Sequence, residues 1–440
     1  MGLFTKLKLE QIDQAAKNSK KLVDVKPKVN TRSITAKLDE ISAKVIEHFK
    51  DSKAILITSE QELHEYISKM IDAKYGSIDT ETTGLDKIRD TIVGVSLYYK
   101  GGVECYIPIK HRVPIFEDPY PNQLTYEIVG RELQRLVDAK VHLVFANADF
   151  DITMIYKDLK VDLLDVCWYD VILAWRCIKE DERDNSLKGL YTKYVLHGTM
   201  DRMKFSDFFS PELFPYCKPE VAKLYAAADA LYTFDLCLWQ LPYIQKDNPK
   251  CKKRKLEAIS DLIWNIEFPL IRVCQMMHRR GIYLESSVSD MLRIKYNKIL
   301  DKEQKKLRDM LNDVLNDPKY ASSAKRPFAT LNEFNFNSTP HVKWLCYSWL
   351  KLDGGKKQET GKEVLSTFNL PVIDQILKCR SLDTLISTFV DKLPNNVADD
   401  QRIHCTFRSV GAATGRMSSA DPKSAYWGLK IKLIQGRATA

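Results

Sequence analysis

Apolar and polar positions change rhythm twice along the chain. Up to about residue 50 the sequence is Lys-rich and poor in aromatics, with only weak helical spacing at Ile41, Val45 and Phe49. That pattern reads as a basic, partly disordered extension that turns helical near its end. From Ala54 short apolar runs take over, and 54–57, 77–79, 91–98, 103–107 and 143–147 read as strands. The third and fourth are joined by a Lys100-Gly101-Gly102 turn. A helical period follows over 150–159, and strands that first run in a row and then alternate with helices predict an α/β fold, a mixed sheet flanked by helices. After about Leu241 the character becomes helical. One long helix is predicted over 252–280, closed by Gly281, and a second over 286–315. The second is dense in charge (Lys302, Glu303, Lys305, Lys306, Arg308, Asp309), which reads first as a solvated face and second as a DNA contact. A loop over 320–335 and helices over 339–350 and 371–393 complete the pattern, with no internal repeat.

Composition narrows the class without naming a function. A chain of 440 residues can hold two or three domains, each with its own core. No apolar run approaches the roughly 18 residues of a membrane span. The start, Met1-Gly2-Leu3-Phe4-Thr5-Lys6, lacks the apolar core of a signal peptide, and Lys6 breaks a myristoylation pattern. Ten cysteines without a CxxC pair indicate neither a zinc site nor a disulfide framework. The expectation is a soluble cytoplasmic protein with no membrane partner. A formal net charge of +9 favours a polyanionic partner, weakly.

Three short segments carry candidate chemistry. In Ile78-Asp79-Thr80-Glu81 the strand period puts Asp79 and Glu81 on one face, about 6–7 Å apart along the chain. Two hard oxygen ligands at that spacing can share Mg²⁺ or Mn²⁺, although acidic residues at strand ends are often mere turn residues. In Val144-Phe145-Ala146-Asn147-Ala148-Asp149-Phe150-Asp151 an apolar strand ends at Asn147, which can cap the following helix. Asp151 then falls in its first turn, where the helix dipole favours a carboxylate. In Leu224-Tyr225-Ala226-Ala227-Ala228-Asp229 the i, i+4 spacing puts Tyr225 and Asp229 on one helix face. Tyr225 can hold a water there while Asp229 holds a metal; the plainer reading is a half-buried Tyr and a surface Asp.

Taken together and in order, DxE, NxxxD and YxxxD match the motifs of the DEDD exonucleases, in the tyrosine-bearing subclass. The run Asp79 to Asp86, then Ile92 to Ser96, Tyr106-Ile107-Pro108, and Leu187-Lys188-Gly189-Leu190 with Tyr194 resemble the proofreading domain of family A DNA polymerases, the bacterial DNA polymerase I type, with a phage source expected for this chain. The resemblance implies a ribonuclease H-like fold and a 3′→5′ exonuclease using two divalent ions, Mg²⁺ or Mn²⁺. It implies that Asp79 bridges the ions, that Glu81 and Asp229 complete the first, and that Asp151 holds the second through water. Tyr225 and Glu81 would orient the attacking water. Asn147 is implied as a structural aid, and Leu85 and Phe205 as apolar supports for the terminal base.

Later segments extend the resemblance into a polymerase domain. Glu267-Phe268-Pro269-Leu270 with Arg280-Gly281-Ile282, Phe336-Asn337-Ser338-Thr339 and Thr388 to Pro394 resemble its start and thumb. His404-Cys405-Thr406-Phe407 and Thr414-Gly415-Arg416-Met417-Ser418-Ser419 resemble the element whose arginine reaches the minor groove near the primer terminus, here Arg416. The expected organisation is an extension (1–50), an exonuclease domain (51–245), a mainly helical thumb and start of palm (246–422), and an atypical tail (423–440). After Pro422 the resemblance stops, so palm carboxylates and fingers are expected to be missing from this chain. An intron, a frameshift, a truncation, or a split polymerase with palm and fingers on a separate chain would each account for this. The implied partners are single-stranded 3′ ends and primer–template DNA. Two other readings stay open: a ribonuclease D-type RNA exonuclease, and an inert DNA-binding fragment.

Overall fold

In the computed structural model the described residues are 31–420, apart from 115–117, 183, 199–204, 210–211, 321–324, 356 and 411–415. Residues 1–30 of the basic extension and the atypical tail therefore lie outside them. The weak period at 41, 45 and 49 belongs to helix α1 (Thr31–His48), which buries Leu38 and Val45, with Phe49 just past its end. By its internal contacts the chain divides into two units, Met1–Gln275 with Ser409–Arg416, and Met276–Arg408 with Met417–Ala440.

The first unit follows the order β1 (Ile55–Leu56), α2 (Glu60–Ala73), β2 (Tyr75–Thr82), β3 (Ile92–Tyr99), β4 (Cys105–Pro108), α3 (Tyr126–Asp138), β5 (His142–Phe145), α4 (Ala148–Leu159), β6 (Cys167–Asp170), α5 (Val171–Ile178), α6 (Leu187–Leu190) and α7 (Pro219–Ile244). Its six strands form one sheet in the order β1-β4-β3-β2-β5-β6. β3 runs antiparallel to both β2 and β4, and the other pairs are parallel. This is the mixed, helix-flanked sheet that the alternation of apolar runs predicts, with one strand, β6, that the sequence reading did not contain.

Both faces of the sheet are covered. Leu63, Ile67, Met70, Leu133, Ile152 and Ile155 from α2, α3 and α4 pack against Ile78, Val95 and Leu97. α7 packs against β2 and β3, and its Ala222, Ala226 and Ala227 share a core with Val93 and Tyr106. Alanines bring the α7 backbone close to the strands, and the Ser77 hydroxyl donates to the Ala230 carbonyl at 2.6 Å. That bond fixes the helix one residue beyond Asp229.

The second unit is mainly helical. α8 (Ser286–Asn316) and α9 (Pro371–Leu385) bury Leu300, Leu307, Leu311, Ile373 and Ile376 with Trp344 and Leu345. Lys302, Lys305 and Lys306 of α8 are exposed, which both the solvated reading of that run and the DNA-contact reading require. Two short antiparallel pairs follow, β7 (Ile282–Tyr283) with β8 (Arg402–Ile403), and β9 (Thr406–Arg408) with β10 (Ser418–Ala420).

Three predicted helices are broken in the structure. The span 252–280 is split where Lys255, at φ 55°, closes the helix Pro249–Arg254. It resumes over Glu257–Leu262, passes through a π-helical turn at Ile263–Glu267 and continues over Phe268–Arg280. Gly281 ends that last helix at φ 64°, where an added Cβ would meet the Arg402 Cβ at 2.9 Å. The helices predicted over 339–350 and 371–393 likewise pass into π-helical turns, at Trp344–Trp349 and Ile386–Val390. A lysine in a left-handed cap and a one-residue widening of a helix leave no mark in an apolar period.

Candidate active site

β2 outlasts its neighbour, and the site sits where it does so. β5 pairs with β2 only over Tyr75–Ser77, and the chain then turns into α4. The Thr80 N–H beyond that point meets the Asp151 carboxylate instead of a strand, at 3.0 Å. The Thr80 hydroxyl donates to the same oxygen at 2.6 Å. A carboxylate from the first turn of α4 thus takes the place of a missing ladder partner, which brings the second candidate segment to the end of the first.

Strand alternation turns Ser77, Asp79 and Glu81 to the α7 side of the sheet. There Asp79, Glu81 and Asp229 each offer a carboxylate oxygen, all within 4.8 Å of one another. The three are half-buried and Asp151 is buried. Such crowding shows in their proton affinities. Burial, then the charges of Asp151 and Asp229, hold the Asp79 carboxyl well above the usual range. Burial and Asp229 push Glu81 to about 8. Burial pushes Asp151 to about 7 against the pull of its two Thr80 bonds. Asp229 is raised by burial and pulled back by Lys188. Burial and mutual repulsion disfavour the ionised forms of these carboxylates, a cost that a cation bound among them would offset.

Tyr225 lies one turn before Asp229 on α7 and is 2% exposed, more deeply buried than the plain reading of its motif. Phe49, Phe208 and Phe209 pack against its ring at centroid distances of 6.3, 6.0 and 5.3 Å. Leu85 is 59% exposed in the loop after β2. That loop is braced by Asp90, whose carboxylate accepts from the Thr83 hydroxyl at 2.9 Å and the Asp86 N–H at 2.7 Å. The backbone of Phe205 opens a one-turn helix, Phe205–Phe208, and its side chain lies outside the described residues. Arg416 is exposed, two residues before β10.

Asn147 corrects the sequence reading in one respect. It stands at the start of α4 with φ 77°, exposed, and its side chain makes no capping bond. The cap comes from Asp170, a residue the sequence reading passed over. Its buried carboxylate accepts from the N–H groups of Asn147 (3.3 Å) and Ala148 (2.8 Å), and from Ile172 (2.9 Å) and Leu173 (3.0 Å) at the start of α5. One side chain therefore ties off two helix starts, one of them carrying Asp151. Asp170→Ala is expected to lower stability by about 3 kcal/mol in urea unfolding, since each buried N–H left without a partner costs about 1 kcal/mol or more. A loss under about 1 kcal/mol would mean that water replaces the carboxylate.

Lys188 is the second residue not singled out from the sequence as chemistry. From α6, whose Ser186 cap accepts from the Gly189 N–H at 3.2 Å, its ammonium reaches the Asp229 carboxylate at 2.7 Å. It also lies 3.6 Å from the centroid of the Tyr225 ring.

Comparison with known proteins agrees with this layout. Residues 54–239 match the family model described as 3′-5′ exonuclease, and residues 304–424 the model of DNA polymerase family A. DNA polymerase I of Pseudomonas aeruginosa is 28% identical over 390 residues, covering 84% of this chain and 38% of that protein. DNA polymerase I of Borreliella burgdorferi is 27% identical over 430 residues, covering 96% of this chain and 42% of that protein. The chain thus spans about two fifths of the length of these relatives. Among solved structures, the POL domain of Pol1 from M. smegmatis, in complex with DNA primer-template and dNTP, shares the fold. Its TM-score is 0.55 at 17% identity, over 86% of this chain and 57% of that one. Two family models matched in this order, with relatives that cover most of the chain, make it consistent with the N-terminal region of a family A DNA polymerase, residues similar to a 3′-5′ exonuclease being followed by residues similar to polymerase sequence.

Proposed function

We propose that this chain removes nucleotides from the 3′ end of DNA by metal-dependent phosphodiester hydrolysis, the proofreading reaction of a family A polymerase. The observation that carries the reading is the convergence of Asp79, Glu81 and Asp229 within 4.8 Å, with Asp151 beside them, inside the segment that matches an exonuclease. Hard carboxylate oxygens, crowded until their proton affinities rise, fit Mg²⁺ or Mn²⁺. Asp79, Glu81 and Asp229 would hold one ion, and Asp79 with Asp151 a second. Bound there, such ions lower the pKa of a water and stabilise the leaving oxygen.

The chain's own residues supply the rest. Water adds to phosphorus as the bond to the 3′ oxygen of the penultimate nucleotide breaks, and the end nucleotide leaves as its 5′-monophosphate. Glu81 and the Tyr225 hydroxyl orient the water. Tyr225 can do so because aromatic neighbours on several sides fix its ring. Leu85, held out to solvent by a braced loop, offers an apolar surface to a terminal base that has left its stack. An end already unpaired costs less to bring there, which favours mismatched and single-stranded ends over paired ones. The relatives named DNA polymerase I support DNA as the polymer. We read residues 51–245 as the exonuclease domain. Residues 246–422, with Arg416 near their end, are read as the duplex-gripping start of the polymerase domain, whose contacts position DNA without chemistry.

The test is degradation of a 5′-labelled single-stranded oligonucleotide in Mg²⁺ or Mn²⁺. Expected is a ladder shortening from the 3′ end, slower on a fully paired end and stopped by EDTA. Product ladders of 5′→3′ polarity, or full activity in excess EDTA, would sink the reading.

A further inference from the structure

The carboxylates of the site have a cationic neighbour of their own. Lys188 is 14% exposed, its ammonium lies 2.7 Å from the Asp229 carboxylate, and the Tyr225 ring covers it at 3.6 Å. Both partners are residues assigned to the reaction, one turn apart on α7. The placement is built. Asp184 accepts from the Ser186 hydroxyl at 2.8 Å, Ser186 caps α6, and a Cβ at Gly189 would meet the Asp184 carboxylate at 2.4 Å. Lys188 is therefore aimed at the site by a tight turn in which Asp184 would have to shift to admit a side chain at the next position. Its charge is felt across the set, since it draws down the proton affinities of Asp79, Glu81 and Asp229 alike.

We propose that Lys188 is a catalytic residue of this site: its ammonium, paired with the Asp229 carboxylate, turns to the scissile phosphate when a divalent ion takes that carboxylate. This rests on the exonuclease reading above and extends it. The charges support the exchange. Four carboxylates are offset by two divalent ions, and the phosphodiester then adds a negative charge that Lys188 offsets. A further negative charge develops on the phosphate oxygens as water adds, where a fixed cation in a half-buried site stabilises most. The long, flexible stem of lysine permits a swing between the two positions that a planar guanidinium in a bidentate pair would resist. The aromatic face of Tyr225 lies against the ammonium where it pairs with Asp229, so the cation keeps that partner as it leaves the carboxylate.

The test uses the full chain, with Lys188→Met and Lys188→Arg, and two readouts. The first is Mn²⁺ affinity without DNA, by calorimetric titration. Lys188→Met should bind Mn²⁺ roughly threefold to tenfold more tightly, because Asp229 no longer carries a competing ammonium. A merely structural lysine would, when lost, loosen the site. The second is the single-turnover cleavage rate at saturating Mn²⁺, expected to fall about 10²-fold in Lys188→Met and less in Lys188→Arg. Lys188→Gln replaces the Met variant if that one does not fold. Unchanged or weaker Mn²⁺ affinity overturns the pairing, and an unchanged saturated rate overturns the catalytic role. An unmodified chain that binds Mn²⁺ yet cleaves no DNA would overturn the exonuclease reading instead, and the affinity readout would still judge the pairing.

Discussion

Asp79→Ala is expected to abolish the proposed nucleotide removal, by at least about 10³-fold, while single-stranded DNA binding stays within a few-fold. Asp79 is the carboxylate that the charges of all the others reach: Asp151, Asp229 and Glu81 each raise its proton affinity. It lies on the same face of β2 as Glu81 and opposite Ser96 in the β2–β3 ladder, so its backbone bonds survive truncation. The side chain contributes nothing to the apolar core. Removing it takes one charge out of a mutually repelling set, so the metal-free variant should melt no lower than the parent chain. The measurement is a single-turnover time course in saturating Mn²⁺, with binding followed in parallel by fluorescence anisotropy in EDTA. A rate unchanged from the parent would place hydrolysis elsewhere in the chain.

How much of this was legible beforehand follows the range of the interactions involved. Strand and helix identities that depend on local period were readable, as in β3, where six successive residues are buried. So was the pairing of Tyr225 with Asp229, because one helical turn relates them. The strand β6 was not, since Cys167-Trp168-Tyr169-Asp170 is short and neither alternates nor is wholly apolar. The break at Lys255 escaped for want of a Gly or Pro to mark it. Asn147 illustrates the limit best. An Asn before a helix is a sound capping signal, yet the cap comes from Asp170, 22 residues away from the Ala148 amide it accepts. Lys188 and Asp229 are 41 residues apart and meet only because α6 and α7 pack together. Motif order could announce which carboxylates converge; it included Lys188 but carried no information on its contact with Asp229.

In the presence of a chelator the chain should lose stability as pH rises from about 4.5 to 8, and saturating Mn²⁺ should abolish that loss. Glu81 in the fold takes up its proton up to about pH 8, and Asp151 up to about 7. In the unfolded chain both ionise near pH 4. Between those limits the folded state holds more protons than the unfolded one, so stability falls with rising pH. The stabilisation is fully present below the unfolded pKa values and gone above the folded ones. Even after a generous allowance for water entering a half-buried site, the two groups together should be worth on the order of a few kcal/mol. Below about pH 4.5 the sign reverses for groups such as Glu62, which the Thr58 amide holds below the usual range. The metal-free chain should therefore be most stable near pH 4.5. Divalent ions change the balance by giving the ionised carboxylates a partner that the unfolded chain lacks, worth about 2.7 kcal/mol per site at a hundredfold excess over Kd. The check is a set of thermal melts from pH 5 to 8.5, in EDTA and in Mn²⁺, repeated for Asp79→Ala. Expected are a Tm that falls with pH in EDTA, a flat profile in Mn²⁺, and a shallower fall in the variant. Parallel profiles with and without metal would mean that the crowded carboxylates are not where the ions bind.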